Sequence, residues 1–406
     1  SAWNIIKWFG TGIVITALFN LSFTNWHNHW NERIILNAFE HGSCSEPDVK
    51  QKQLIYCEVV IKELRRILEP ISDHSSYHVV VGNHGTGKTT VIRQCARDVG
   101  KEVIYVDVPP VLNRFISNLA NAIGYSFMEY VFFIETFKRK ILGNSESGFF
   151  VSWMPSREEL ENTSKPPVLI LDNINKLGQE NANMLKNLQD IAKLYADQSS
   201  CIIVFISSEG TAPHMMMQRS SWSRAEKDPI VIEDLTSKEA FTYLHNKLGI
   251  EKEVTNQLIQ LLGGRIRDLK EYGNRINRGK TFESESIYYL DNDDGILQEY
   301  CVNVLIILNI LLSEVHKTVI HAVNHNFHQA EMMEGEKNHV IGKVIVQKLV
   351  KNEKIDFDTF IKLVNNKKIA DELLQANVFS YNPESRTVTF QSRATEVFVR
   401  ESPEFR

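Results

Sequence analysis

Residues 78–90 read His-Val-Val-Val-Gly-Asn-His-Gly-Thr-Gly-Lys-Thr-Thr. A β-branched run passes directly into Gly-x-x-x-x-Gly-Lys-Thr, and this order of strand, glycine-rich turn and helix start is what a phosphate-binding loop requires. Gly82, Gly85 and Gly87 let the backbone curl, so that successive amides along Asn83, His84, Thr86 and on to Thr90 face one anion site. The helix starting near Gly87 adds the positive end of its dipole. Lys88 is placed to reach the β- and γ-phosphate oxygens, and the Thr89 hydroxyl to ligate Mg²⁺.

Behind the loop, residues 88–99 continue as helix to a glycine cap at Gly100, and residues 102–108 form a strand closed by Pro109 and Pro110. Strand, helix and strand within so short a span are the unit of a parallel sheet. Helical patterns follow at 111–123 and 128–142, and a polar, proline-bearing surface excursion at 143–167. Four apolar residues then end in Asp172, a carboxylate at the C-terminal edge of a buried strand and the second expected Mg²⁺ ligand. Asn173 comes next. Its amide can orient a water but is a poor base, so hydrolysis is slow or the base comes from elsewhere, with Glu180, Asp190 and Glu209 as candidates.

Residues 201–207 read as a further buried strand ending in Ser207 and Ser208. Either hydroxyl is a candidate sensor of the γ-phosphate, or both are simply a strand end. Met215 to Met217 read as adaptable packing. Arg219 and Arg224 precede a fifth strand at 229–232 and either reach a neighbouring subunit's nucleotide or stay solvated. Thr236-Ser-Lys-Glu239 is a capping box that starts a small helical unit. Its third helix opens at Gly263-Gly264-Arg265-Ile-Arg267, where Arg267 suits a lid contact with the γ-phosphate better than Arg265 does.

Together, residues 82–89, Asp172, Ser207 or Ser208, and Gly-Gly-Arg-Ile-Arg-Asp-Leu at 263–269 resemble the AAA+ and archaeal-type (STAND-like) branch of P-loop ATPases. The last segment also resembles the ATPase module of mitochondrial escape (RNA12-type) inner-membrane proteins and related fungal proteins. The resemblance covers about residues 50–280. It implies an α/β fold, a five-stranded parallel sheet with helices on both faces and a helical lid, with ATP and Mg²⁺ as ligands. It also implies that the amphipathic helix expected over 48–68 lies near the adenine, and that the lid moves with nucleotide state. Most motors of this kind carry Glu where this chain has Asn173.

The remainder sets the domain plan. Residues 8–26 hold no charge and are long enough to cross a bilayer as a helix, with Trp3, Trp8, Trp26 and Trp30 at the ends. A membrane anchor within 1–30, a membrane partner and a membrane-bound intracellular location, the mitochondrial membrane included, are expected on that ground; Thr11, Asn20, Ser22 and two glycines dilute the run, and the alternative is a buried hairpin or docking helix. His27 and His29 read as a polar turn, and the histidines from 316 to 339 match no metal motif. Residues 301–312 predict a buried helix. Helices at 341–350, 357–364 and 369–376, followed by strands at 378–381 and 386–390, read as a winged helix. The plan is an anchor at 1–30, an ATPase core at 48–235, a lid at 236–280, a helical region at 281–339 and a winged-helix-like domain at 340–402.

A net charge of −5 argues against a protein that coats nucleic acid. The 5 cysteines form no Cys-x-x-Cys pair, so neither a zinc site nor a disulfide framework is expected from them. The expected function is Mg²⁺-dependent ATP hydrolysis driving a change in the lid and winged helix. Two alternatives are an ATP-loaded switch that hardly hydrolyses and a DNA-binding regulator. Lys367, Lys368, Asp371 and Glu372 give the third winged-helix helix a mixed face that favours a protein partner or self-association over DNA.

Overall fold

The structure is a computed structural model that describes residues 30, 33–34, 36–44, 58–70, 74–109, 111–124, 165–208, 211–226, 228–288 and 297–405. Five strands, β1 (His78–Val81), β2 (Val103–Asp107), β3 (Val168–Asp172), β4 (Ile202–Ser207) and β5 (Ile230–Val231), form one sheet in the order β2-β3-β4-β1-β5. Every pairing is parallel. Parallel strands need crossovers, and these place helices on both faces.

Alternation along each strand divides the core accordingly. Val79, Ile104, Leu169 and Phe205 point to the face covered by α3 (Leu112–Ala122) and α5 (Ala182–Gln198), where they meet Phe115, Leu119, Leu185 and Leu188. The residues between them, Val80, Tyr105, Ile170 and Val204, meet Leu64, Ile67, Val91 and Ile92 of α1 (Glu58–Leu68) and α2 (Lys88–Val99). Each such side chain stabilises the fold by about 1.5–3 kcal/mol on full burial. A short helix, α4 (Asn175–Glu180), follows β3, and α6 (Thr211–Met217) follows β4.

Beyond β5 the capping box forms, with Glu239 N–H donating to Thr236 Oγ1 at 3.3 Å and Thr236 N–H to Glu239 Oε2 at 2.9 Å. Helices α7 (Ser237–Phe241), α8 (Lys252–Leu262), α9 (Ile266–Tyr288), α10 (Leu297–Gln329) and α11 (His339–Asn352) lead to β6 (Ile355–Asp356), α12 (Phe357–Val364), α13 (Lys367–Gln375), β7 (Phe379–Asn382), β8 (Thr387–Phe390) and α14 (Arg393–Glu401). The last three strands form an antiparallel sheet in the order β6-β8-β7, which completes a winged-helix-like module. A single apolar cluster runs from Ala240 through Leu269, Val319 and Phe327 to Phe360 and Phe405. The lid helices and the C-terminal module therefore share a core.

The helix expected at 301–312 lies within the longer α10, and of its described side chains Ile310 is 52% exposed while Leu312 packs against the core. The buried stripe among the described residues follows at Val315, Val319, Val323 and Phe327.

The membrane expectation is corrected. Residues 8–26, with His27 and His29, lie outside the described residues, as do the helix expected at 128–142 and residues 143–164 of the excursion. Among the described residues, no helix is long and apolar enough to cross a membrane. The longest, α10, is interrupted by Asn303, Asn309, Glu314 and Lys317, whereas a span needs about 20 predominantly apolar residues. The membrane anchor, membrane partner and membrane-bound location are overturned with it.

Candidate functional site

The loop between β1 and α2 turns at two left-handed glycines, Gly85 and Gly87, each with φ 85°. Gly82 is required by close approach rather than by φ. A Cβ there would stand 2.3 Å from the Ile232 carbonyl oxygen, where β5 leaves the sheet. Inside the turn, Thr86 Oγ1 donates to Asn83 O at 3.0 Å, and Lys88 Nζ donates to the same carbonyl at 2.6 Å. Lys88 is only 4% exposed. Its ammonium is thus folded inward over the loop.

The strand ends bring the second half of the site to the same edge. Asp172, 1% exposed, accepts from Thr89 Oγ1 at 2.8 Å and from the Asn173 N–H at 2.7 Å. The Tyr105 hydroxyl donates to it as well. Burial, and next the charge of Asp172, push the Tyr105 hydroxyl far up, so it stays a donor. Thr89 and Asp172, far apart in sequence, are direct partners. A buried carboxylate with three donors and a hydroxyl neighbour is an oxygen-donor pair of the kind that suits a hard divalent cation.

Asn173 adopts φ 67°, and its Nδ2 donates to Asp107 Oδ1 at 2.6 Å. Asp107 ends β2 in direct register with Asp172. Sequence reading missed this carboxylate because Asp107 looks like the end of any strand before two prolines. The signal available was that two adjacent parallel strands both end in Asp. Of the bases considered from sequence, Asp190 is tied to Ser221 and, at 2.9 Å, to Arg219. Glu209 and the Glu180 side chain lie outside the described residues.

A cleft of about 880 Å³ opens over the phosphate loop and Asn173. It is lined by residues 84–91, by Asn173, Ser208 and Arg267, and by apolar atoms of Val59, Val60, Pro229 and Tyr243. Such a volume is in the range of small-molecule sites. Ser208 borders the cleft, whereas Ser207 is fully buried beneath it. Val59 and Val60 bring α1 to the apolar part of the cleft.

The two lid arginines separate. Arg267 lines the cleft, and its N–H donates to Gly85 O at 3.1 Å. Arg265, 5% exposed, is committed elsewhere. Its Nε and Nη2 grip both Asp234 oxygens at 2.8 and 2.9 Å, Nη1 donates to His84 O at 2.9 Å, and Nη2 donates to Gln391 O at 2.6 Å. Arg219 and Arg224 are both held by α5, through Asp190 at 2.9 Å and Asp197 at 2.5 Å.

An interior strand of a parallel sheet that enters a glycine-rich loop and a helix, with an acid on a nearby strand, defines a P-loop nucleoside-triphosphatase fold. Comparison with known proteins narrows the class. The chain belongs to the family described as ATPase domain predominantly from Archaea, whose model matches residues 58–272, more than half of its length. Among solved structures, it is similar to the Walker-type ATPase PabY2304 of Pyrococcus abyssi, with 12% identity, TM-score 0.51, and coverage of 87% of this chain and 98% of that one. It also matches the ORC2 protein of Aeropyrum pernix, at 13% identity, TM-score 0.45, and 89% and 95% coverage. The RuvB Holliday junction branch migration motor of Thermotoga maritima matches at 14% identity, TM-score 0.38, and 86% and 96% coverage. No curated protein sequence matches the chain.

Proposed function

We propose that this chain binds ATP with Mg²⁺ in the cleft over the phosphate loop, hydrolyses it, and passes the change of state to its C-terminal module. The observation that carries the reading is the meeting of Thr89 and Asp172, 2.8 Å apart, beside the left-handed glycines and the inward-folded Lys88. Thr89 and Asp172 would hold Mg²⁺, which when bound neutralises charge on the β- and γ-phosphate oxygens. The loop amides and Lys88 bind the phosphates, Lys88 exchanging the Asn83 carbonyl for phosphate oxygens. Arg267 supplies positive charge from the lid, and Ser208 a hydroxyl at the cleft wall.

The carboxylate absent after Asp172 is supplied from the neighbouring strand. Asp107 holds the Asn173 amide by Nδ2, which leaves Asn173 Oδ1 to orient the attacking water and the Asp107 carboxylate to receive its proton. Transmission to the C-terminal module rests on three contacts with the loop. These are the Arg265 bond to His84 O, the Arg267 bond to Gly85 O, and the Ser380 Oγ bond to Asn83 Oδ1 at 2.6 Å. On this proposal residues 48–235 are the ATPase core, and the lid at 236–280 moves with the winged helix at 340–402.

Asn173 also favours a second reading, a switch that holds ATP and scarcely turns it over. Turnover by the purified chain beside Lys88→Ala and Asn173→Glu separates the two. Turnover of wild type well above Lys88→Ala supports hydrolysis; ATP binding with turnover no higher than Lys88→Ala leaves the switch. Of the two family resemblances, the archaeal one is the one the chain's membership supports. The finer likeness to the mitochondrial escape module rests on residues 263–269 only.

A further inference from the structure

The opposite end of β1, next to the sheet edge strand β5, carries a second polar cluster. His78 opens β1 and is 2% exposed, and His74 precedes it on the approach to the strand. The two rings stack with centroids 4.8 Å apart, and their Nε2 atoms face each other at 2.8 Å. On the far edge of His78, Nδ1 lies 2.6 Å from Glu226 Oε2. Glu226 Oε1 in turn accepts from Arg66 Nη2 at 2.9 Å.

These contacts favour one tautomer of His78. A carboxylate beside Nδ1 makes that nitrogen the protonated one in neutral His78, so its Nε2 presents a lone pair to His74. The backbone of Ser76 also bonds the His74 ring. Two imidazole nitrogens therefore converge on one point, each ring engaged by an acceptor or the backbone. A carboxylate behind a histidine, orienting its ring and raising its basicity, is the usual outer support of a metal ligand.

We propose that His74 Nε2 and His78 Nε2 form a binding site for a divalent d-block ion of the Zn²⁺ type, with Glu226 orienting His78. The candidate ligand atoms of all three residues lie within 4.8 Å of one another. Tetrahedral Zn²⁺ with bonds of about 2.0–2.1 Å sets the two nitrogens roughly 3.3 Å apart, so the rings need to part by only about half an ångström. Water completes the coordination from the half-exposed His74 side. The ion would tie the approach to β1 to the segment before β5, at the sheet end remote from the phosphate loop. The site is independent of the ATPase reading.

The test is Zn²⁺ binding to the full chain in competition with a chromophoric chelator, with Co²⁺ substitution read by its visible spectrum. Wild type and Lys88→Ala are expected to take up one equivalent. His74→Gln, at the less buried position, is expected to lose it, and Glu226→Gln to weaken it about 10- to 100-fold. Zn²⁺ should also raise the melting temperature of wild type and leave that of His74→Gln unmoved, since only a ligand of the folded state stabilises it. No uptake by wild type, or equal uptake by a His74→Gln protein with native circular dichroism, overturns the proposal.

Discussion

At the scale of single residues, the site turns on two side chains whose neighbours lie far away in sequence. If Asp107 receives the water proton, Asp107→Asn should lower kcat by about 100-fold and leave KM for ATP nearly unchanged, because a general base acts in the transition state. Single-turnover kinetics check this. Arg265→Ala strands the Asp234 carboxylate and removes bonds to His84 and Gln391. Arg265 is buried but Asp234 is 31% exposed and can be hydrated, so the loss is about 1.5–3 kcal/mol, which urea unfolding will register. The loop itself was legible because its chemistry is written in consecutive glycines, a lysine and a threonine. Asp107 was not, since its meaning comes from register with Asp172 across a strand pair. The separate places of Arg265 and Arg267 come from packing, since only two residues part a buried clamp from a cleft-lining side chain.

At the scale of elements, periodicity carried most of the reading. The alternating strands, the Thr236 capping box and the turn between β7 and β8 are local signals, and local signals survive into the fold. Thr236→Ala should lower stability by about 1 kcal/mol through the lost cap, measurable in the same unfolding experiment. Helix α10 shows the limit of such reading. Its apolar run at 301–312 predicted burial; at the end of that run Ile310 is exposed while Leu312 and the later valines pack, selected by the helices they meet. Helix α14 carries a pH signature. Burial works against the Glu396 carboxylate, but hydrogen bonds from Arg400 at 2.7 and 2.9 Å and from Arg393 at 2.6 Å outweigh it, holding the group below its ordinary 4.5. Because the folded value is the lower one, this stabilisation is present above pH 4.5 and is lost as pH falls below it. Glu396→Gln should flatten that part of the stability–pH curve, as followed by melting temperature.

At the scale of the whole molecule, the shared core from Ala240 to Phe405 joins the helices after β5 to the winged-helix-like module, and Arg265 and Ser380 bond this unit to the phosphate loop. Gly263 sits at its joint, left-handed at φ 69° and with Arg393 so near that a Cβ would stand 2.8 Å away. The strand order has a further consequence, for the order in which the chain assembles. β1 comes first in sequence yet pairs only with β4 and β5, so its ladder waits until residues 202–231 have been made and brought back. Such long loop closures are slow to form. During refolding, β1 and β4 amides should gain protection from hydrogen exchange together and after those of helix Ala182–Gln198; protection of β1 ahead of β4 would contradict this order. The nucleotide loop, hung on β1, is then among the last parts of the protein to take shape.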